Sequence, residues 1–179
     1  MGNYSNVDVN INIPNLTKVI NNIDNYTPAI ERGIKLGIDD LSNGMNRKVR
    51  EFMTAYGLGN SPLMGMISIT PIGIKGIKLE VGGHAMYVEY GTGIVGSENP
   101  HPHPWIYDVN NHGEKGWFYP TTESDPNPNK HYYNGVLYAW TKGQRSRPFM
   151  YKTWLWAKQS CTQIIRKHIY SELRKVGGR

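Results

Sequence analysis

The chain has 179 residues, of which 39% are hydrophobic and 11% aromatic, and its formal net charge is +6. Domains commonly hold roughly 100 to 200 residues, so this length favours one domain with appendages, and the aromatic content argues against disorder. The single cysteine, Cys161, excludes an internal disulfide and a cysteine-based zinc site. The basic residues form no dense block, which favours a solvated basic surface over specific nucleic-acid binding.

Within the N-terminal segment, residues 1–14, the apolar residues at 7, 9, 11 and 13 alternate with aspartate and asparagine at 8, 10 and 12. This period of two predicts an extended arm that pairs with a sheet edge, either in the same domain or in a neighbouring subunit. The segment lacks the charged and apolar regions of a signal peptide, and no apolar run reaches the ~18 to 20 residues of a membrane span, so we expect a soluble protein made inside the cell. A short amphipathic helix follows, with apolar positions at Leu16, Val19, Ile20 and Ile23.

A long helix is predicted to start at Thr27-Pro28 and to stop at Gly57. Proline is favoured in the first helical turn because its missing N–H would have no partner there. Glycines inside this helix cost about 1 kcal/mol each relative to alanine, so the helix depends on packing or on close approach of another backbone. Its apolar stripe is Ile30, Ile34, Ile38, Leu41, Met45, Val49, Phe52 and Tyr56, and its internal glycines are Gly33, Gly37 and Gly44.

Beyond Leu63 the apolar period changes to two, which predicts a β-hairpin whose turn is Pro71 to Gly76. One face of this hairpin is apolar, and the long helix can lie on it. Residues 85–90 fit a short helix or a strand, and we favour a helical turn after Gly82-Gly83.

Residues 97–134 change in composition, with several prolines, histidines and asparagines, and predict a long insertion loop. Its aromatic residues, Trp105, Trp117, Phe118 and Tyr119, either pin the loop to the domain or meet a partner. A returning strand is predicted at Val136 to Trp140, followed by a polar turn at Thr141 to Gln144.

A last long helix is predicted to start at Arg147-Pro148-Phe149 and to end at Gly177-Gly178. Trp154 and Trp156 lie on different sides of this helix, so one of them should leave the core and mark an interface. The elements together predict an α+β fold: N-terminal helices and a long C-terminal helix packed on a small antiparallel sheet, with a long surface loop. Residues 1–14 are then an extended arm, and 15–179 a single domain with the insertion at about 97–134.

The segment from Tyr87 to Gly93 embeds one carboxylate, Glu89, among apolar and aromatic residues and then breaks into glycine. We expect Glu89 to be a structural carboxylate that accepts backbone N–H hydrogen bonds or pairs with an arginine, Arg147 being the first candidate. Gly91-Thr92-Gly93 lacks the lysine of a phosphate-binding loop, so it predicts a turn that needs positive φ.

Two catalytic alternatives stay open at this point. The loop histidines predict a metal site only weakly, because their spacing is poor and no suitable carboxylate or thiolate accompanies them. Glu89 paired with His84 or with a loop histidine is the alternative general base, although nothing in the spacing requires that contact. We therefore assign no catalytic residue, metal or cofactor. The loop histidines are His101, His103, His112 and His131.

Four segments in succession, over about Leu63 to Val176, resemble the HK97 gp10-like family of tailed-phage head-tail joining or tail-completion proteins. They are Tyr-Val-Glu-Tyr-Gly-Thr-Gly ending at Gly93, Gly-Trp-Phe-Tyr-Pro ending at Pro120, Thr-Lys-Gly-Gln ending at Gln144, and Arg-Pro-Phe-Met ending at Met150.

The resemblance implies a non-enzymatic virion component of the neck, assembled in the host cytoplasm as a ring, expected to be a hexamer. It implies portal-side connector proteins and the tail tube protein as partners, non-specific contact with DNA in the lumen, and no membrane. The alternatives from other classes are a metal-assisted hydrolase and a basic nucleic-acid-binding module. Residues expected to determine the fold or its interfaces are Glu89, Gly91, Thr92, Gly93, Arg147, Pro148, Phe149, Trp117 and Trp156.

Overall fold

The structure is a computed structural model that describes residues 9–10, 27–103 and 116–177. The described helices are α1 (Thr27–Ala55), α2 (Ala85–Tyr90), α3 (Gly93–Glu98) and α4 (Phe149–Gly177), with a 3-10 turn at Pro62–Met66. The described strands are β1 (Val9–Asn10), β2 (Ile67–Ile72), β3 (Gly76–Val81), β4 (Trp117–Pro120), β5 (Lys130–Tyr133), β6 (Val136–Thr141) and β7 (Gly143–Gln144). These elements confirm the α+β class.

The chain forms two compact units, and the single domain expected over 15–179 remains a prediction. The first unit contains Met1–Gly83 and Phe149–Arg179, and the second contains His84–Pro148. The division arises because the predicted insertion loop carries strands β4 and β5, which form a sheet with β6. The helix predicted at residues 16–23 and most of the N-terminal arm lie outside the described residues.

Helices α1 and α4 pack against each other in the first unit. The predicted limits of α1 are confirmed, with Gly57 at φ 74° just beyond its end. Apart from Phe52 and Tyr56 at its end, the predicted apolar stripe of α1 is buried, and Met53 completes it. Glycine is required at the helix crossing, because a Cβ on Gly33 would lie 2.6 Å from the Ile169 Cα and one on Gly37 would lie 2.9 Å from the Ile165 Cα.

The hairpin of the first unit is confirmed as strands β2 and β3, with Ile69 opposite Leu79. β3 is the central strand, and β1 pairs with its other edge, which places Val9 opposite Leu79 as well. The apolar face of β3 is buried because α1 and the 3-10 turn belong to the same core. The hairpin tip is different: Ile72 and Ile74 remain exposed there.

The second unit contains an antiparallel sheet in the order β4-β6-β5. Asn134 and Gly135 form the two-residue connection between β5 and β6, with φ of 48° and 77°. Positive φ at both positions is the geometry that Asn-Gly hairpin turns adopt. The predicted strand at 136–140 is confirmed, whereas the predicted loop is wrong over β4 and β5, where the chain forms regular strands. The predicted turn at 141–144 contains Gly143, at φ 96°, and continues as the short strand β7.

Candidate functional site

The glycine turn between α2 and α3 is held by backbone contacts within the second unit. Gly91 and Gly93 have φ of 78° and 64°, so the predicted need for positive φ is confirmed. Isolated antiparallel bridges join Thr92 to Gln144 and Gly93 to Gly143. A Cβ on Gly91 would lie 2.5 Å from the Ser146 backbone nitrogen, and one on Gly143 would collide with the Thr92 carbonyl. The two backbone segments lie so close together that only glycine fits at positions 91 and 143.

Further bonds join this turn to the segment that precedes α4. The Ser146 hydroxyl donates to the Glu89 carbonyl over 2.7 Å, and the Arg147 backbone N–H donates to the Val88 carbonyl over 2.9 Å. The next residue, Pro148, is buried. Phe149, the first residue of α4, is fully buried. The candidate residues from the turn and from Arg147-Pro148 therefore lie in one part of the second unit.

The Glu89 carboxylate is buried, as predicted, but its described partner is a loop histidine. His101 Nε2 lies 3.2 Å from Glu89 Oε1, and the two side chains are 5% and 2% exposed. The Tyr90 ring lies against the His101 imidazole, with centroids 4.4 Å apart. Burial raises the pKa of the Tyr90 hydroxyl. The predicted pairing of Glu89 with Arg147 is wrong. Among the described residues, no ion pair joins these two side chains, and the Arg147 Nε is buried without a hydrogen-bond partner.

The Glu89–His101 contact has the hydrogen-bond geometry that the general-base alternative required. A general base must also reach a substrate proton, and these two side chains are almost completely buried. The second imidazole nitrogen, Nδ1, lies 3.0 Å from the His103 backbone N and 2.9 Å from its carbonyl oxygen. The contacts of His101 therefore secure the start of the 97–134 segment and leave its ring no open position for a reacting atom.

The loop histidines His101 and His131 have different environments. His101 is buried beside Glu89, while His131 lies on β5 with its ring 6.1 Å from the Phe118 ring. Within residues 27–103 and 116–177, no group of three or more His, Cys, Asp or Glu side chains is placed to hold a metal ion. His112 and Trp105 fall outside the described residues.

One face of the second sheet is unusually apolar for a surface. Directly opposed residues on antiparallel strands share a face, so the pairs Phe118–Trp140 and His131–Tyr138 lie on the same side. Phe118 and Tyr133 are 53% and 69% exposed. No residue of this face carries a carboxylate, ammonium or guanidinium group. We call it the aromatic face, and its members are Phe118, Pro120, His131, Tyr133, Val136, Tyr138 and Trp140.

The opposite face of the same sheet includes buried residues, with Leu137 and Ala139 at its centre. Trp117 lies on this inner face and is half-buried, whereas its neighbour Phe118, on the aromatic face, is exposed. Asp125 holds the connection between β4 and β5, accepting hydrogen bonds from the Thr121 and Tyr119 hydroxyls and from the Asn127 backbone N–H. These hydrogen bonds, the one from Thr121 foremost, lower the pKa of the Asp125 carboxyl.

The two tryptophans of α4 have separate environments in the first unit. The Trp156 ring packs against Gly44 of α1, so this interface candidate fills the helix crossing. Trp154 stacks on Tyr151 with centroids 5.7 Å apart, and the Lys158 ammonium lies 5.2 Å from its ring centroid. Both indoles are half-buried.

Comparison of the chain with protein family models, curated proteins and solved structures finds no match. Among the described helices, none is long and apolar enough to cross a membrane. The aromatic face is the feature that the sequence reasoning missed, because two of its three strands, β4 and β5, were assigned to a loop. The Asn134-Gly135 pair between alternating residues was the signal that could have found it.

Proposed function

We propose that this chain is a structural virion protein of the phage neck, which joins head to tail or completes the tail by assembling as a ring. The observation that carries the proposal is the aromatic face. Antiparallel sheets with one face on the core usually present polar side chains on the other. Here the outer face presents aromatic rings, proline and valine, and contiguous exposed apolar surface of this kind marks a protein interface.

A second copy of the same chain is the occupant that we propose for the aromatic face. The face has no formal charge, which favours an apolar protein surface over nucleic acid. The first unit supplies such a surface at the β2–β3 hairpin tip, where Ile72 and Ile74 are 40% and 47% exposed. Contact between two different patches on successive copies is heterologous, and a heterologous contact produces a ring when the rotation between successive copies closes.

The four segments that resemble the neck family also have a common structural setting, which supports the proposal. Gly116, from the second segment, packs against the Trp140 ring beside the start of the third segment, and the Val95 N–H donates to the Lys142 carbonyl over 3.3 Å. The first, third and fourth segments meet through the bonds of the glycine turn. Segments that are distant in sequence thus form one backbone cluster, as residues that determine a fold should.

The interface is tested with two neighbouring tyrosines that point to opposite faces of the sheet. Tyr133 belongs to the aromatic face and Tyr132 does not, although the two are 69% and 67% exposed. We expect Tyr133→Ser to lower the mass of the assembly in sedimentation experiments, while Tyr132→Ser assembles like the parent. Ile74→Ser at the hairpin tip should behave like Tyr133→Ser.

Equal losses of mass for Tyr133→Ser and Tyr132→Ser would contradict the assignment of the face. Because these residues are exposed, circular dichroism should show the parental fold for every variant. The neck assignment itself is tested by adding a purified tail tube or portal-side connector protein, which should bind the assembled form and fail to bind a Tyr133→Ser monomer.

A further inference from the structure

One exposed side of α4 forms a basic ridge on the first unit. Its residues share one side of the helix, are all exposed, and include no carboxylate. Lys152 and Arg174 mark its ends, which lie about 33 Å apart at 1.5 Å per residue. The ridge consists of Lys152, Gln159, Gln163, Arg166, Lys167, Tyr170 and Arg174.

Charge is unequally divided between the two units. The described part of the first unit has thirteen lysines and arginines against six acidic residues, while the described part of the second has four of each. α4 contains a single acidic residue, Glu172, which is buried and contacted by Arg32 and Lys175. Among the described residues, the excess positive charge is therefore concentrated on the first unit.

The ridge cations are not neutralised by close ion pairs. Within the described residues, no carboxylate lies within ion-pair distance of Lys152, Arg166, Lys167 or Arg174. The Lys152 ammonium lies 4.8 Å from the Tyr56 ring centroid, and this uncharged ring does not neutralise the charge of the lysine. Asp40 is near Lys167, but its carboxylate is bonded to His168 over 3.0 Å.

We propose that this ridge binds the phosphate backbone of duplex DNA without sequence preference. Lysine, arginine, glutamine and tyrosine are the side chains that contact phosphates, whereas lysine is depleted at the core of protein interfaces. The ridge is also about as long as one turn of B-form DNA, roughly 34 Å. This DNA-binding proposal is separate from ring assembly, because a single copy of the chain carries the whole ridge.

The test uses the full chain and a fluorescently labelled 30-base-pair duplex of arbitrary sequence, titrated by anisotropy at several sodium chloride concentrations. The ridge variant combines Lys152→Gln, Arg166→Gln, Lys167→Gln and Arg174→Gln. The matched control removes the same charge from exposed positions elsewhere, with Lys35→Gln, Lys75→Gln, Lys142→Gln and Arg145→Gln.

Four phosphate contacts predict that a single copy loses about 100-fold in affinity between 50 and 200 mM salt. We expect the ridge variant to bind at least about tenfold more weakly than the control at low salt and to lose most of this salt dependence. Equal weakening of both variants would show that net charge alone attracts DNA and would overturn the proposal. So would a parent protein that does not bind. The mass of each variant is recorded in parallel, so failure of DNA binding is distinguished from failure of assembly.

Discussion

The rings of Phe118 and His131 meet edge to face across the central strand of the second sheet, with centroids 6.1 Å apart. The two residues come from the outer strands β4 and β5, so their contact spans the width of the aromatic face. Edge-to-face contacts between aromatic rings contribute about 0.5 to 1.5 kcal/mol beyond the area they bury, which restricts the motion of both rings. An ordered apolar surface loses less conformational entropy on binding, which favours its use as an interface.

Gly143 should tolerate alanine much less well than Gly135. Both have positive φ, which costs a non-glycine residue about 1 to 2 kcal/mol. A Cβ on Gly143 would also collide with the Thr92 carbonyl, whereas none of the surrounding atoms lies within 4 Å of a Cβ on Gly135. We expect Gly143→Ala to lower the free energy of unfolding by about 1 to 3 kcal/mol more than Gly135→Ala, measured by urea unfolding. Equal effects would show that the two backbones are not in close contact.

The α1–α4 crossing predicts a contrast between two glycines of α1. Alanine normally stabilises a helix by about 1 kcal/mol relative to glycine. At Gly33 the added methyl meets the Ile169 backbone, but at Gly44 it meets the far end of the Trp156 side chain, which is able to move. Gly33→Ala should therefore lower the melting temperature clearly, and Gly44→Ala should lower it less. The reverse order in thermal unfolding would contradict the packing of this crossing.

The Glu89–His101 contact predicts a structural loss when the imidazole is removed. Removing one partner of a buried hydrogen bond costs about 1 to 3 kcal/mol, so His101→Ala should destabilise the fold by about that amount. His103→Ala is the control, because that residue is exposed. Urea unfolding measures both variants. A His101→Ala protein as stable as the His103→Ala protein would show that the contact does not hold the segment.

The stability of the first unit should depend on pH through Glu172. Hydrogen bonds from Lys175 and Arg32 lower the pKa of its carboxyl below the ordinary value of 4.5. The folded state thus keeps this carboxylate charged at pH values where the unfolded chain binds a proton. Its stabilising contribution is complete above the unfolded pKa and is lost as pH falls through the lower folded pKa.

Glu172→Gln should therefore be less stable than the parent at pH 7, and the difference should shrink as the pH falls below about 4.5. Urea unfolding at several pH values measures the difference. Glu31→Gln, at an exposed position of α1, serves as the control. A difference between Glu172→Gln and the parent that stays constant down to pH 3 would contradict the account.

The sequence predicted the elements that have a long periodic apolar pattern or clear glycine and proline residues at their ends. α1 has six buried apolar residues at helical spacing before Met53 and a glycine stop, so its limits followed directly. The second sheet was missed because β4 and β5 are four residues each and lie among prolines and histidines. Strands that short are specified by pairing with β6 and by the Asn134-Gly135 turn more than by their own composition.

The candidate site was predictable only where it is local. The burial of Glu89 followed from its apolar neighbours, and positive φ at Gly91 followed from the glycines themselves. The partner of Glu89 did not follow, because His101 reaches it through the tertiary path of the chain after α3. An arginine is the usual partner of a buried carboxylate, but Arg147 contributes its backbone N–H to Val88 instead.

The most direct test of ring assembly is the mass of the purified protein in solution over a concentration series, with electron micrographs of the heaviest species. We expect a closed ring, or a monomer that closes into a ring when a neck or tail-tube partner is added. A protein that stays monomeric at every concentration and ignores such partners would contradict this expectation.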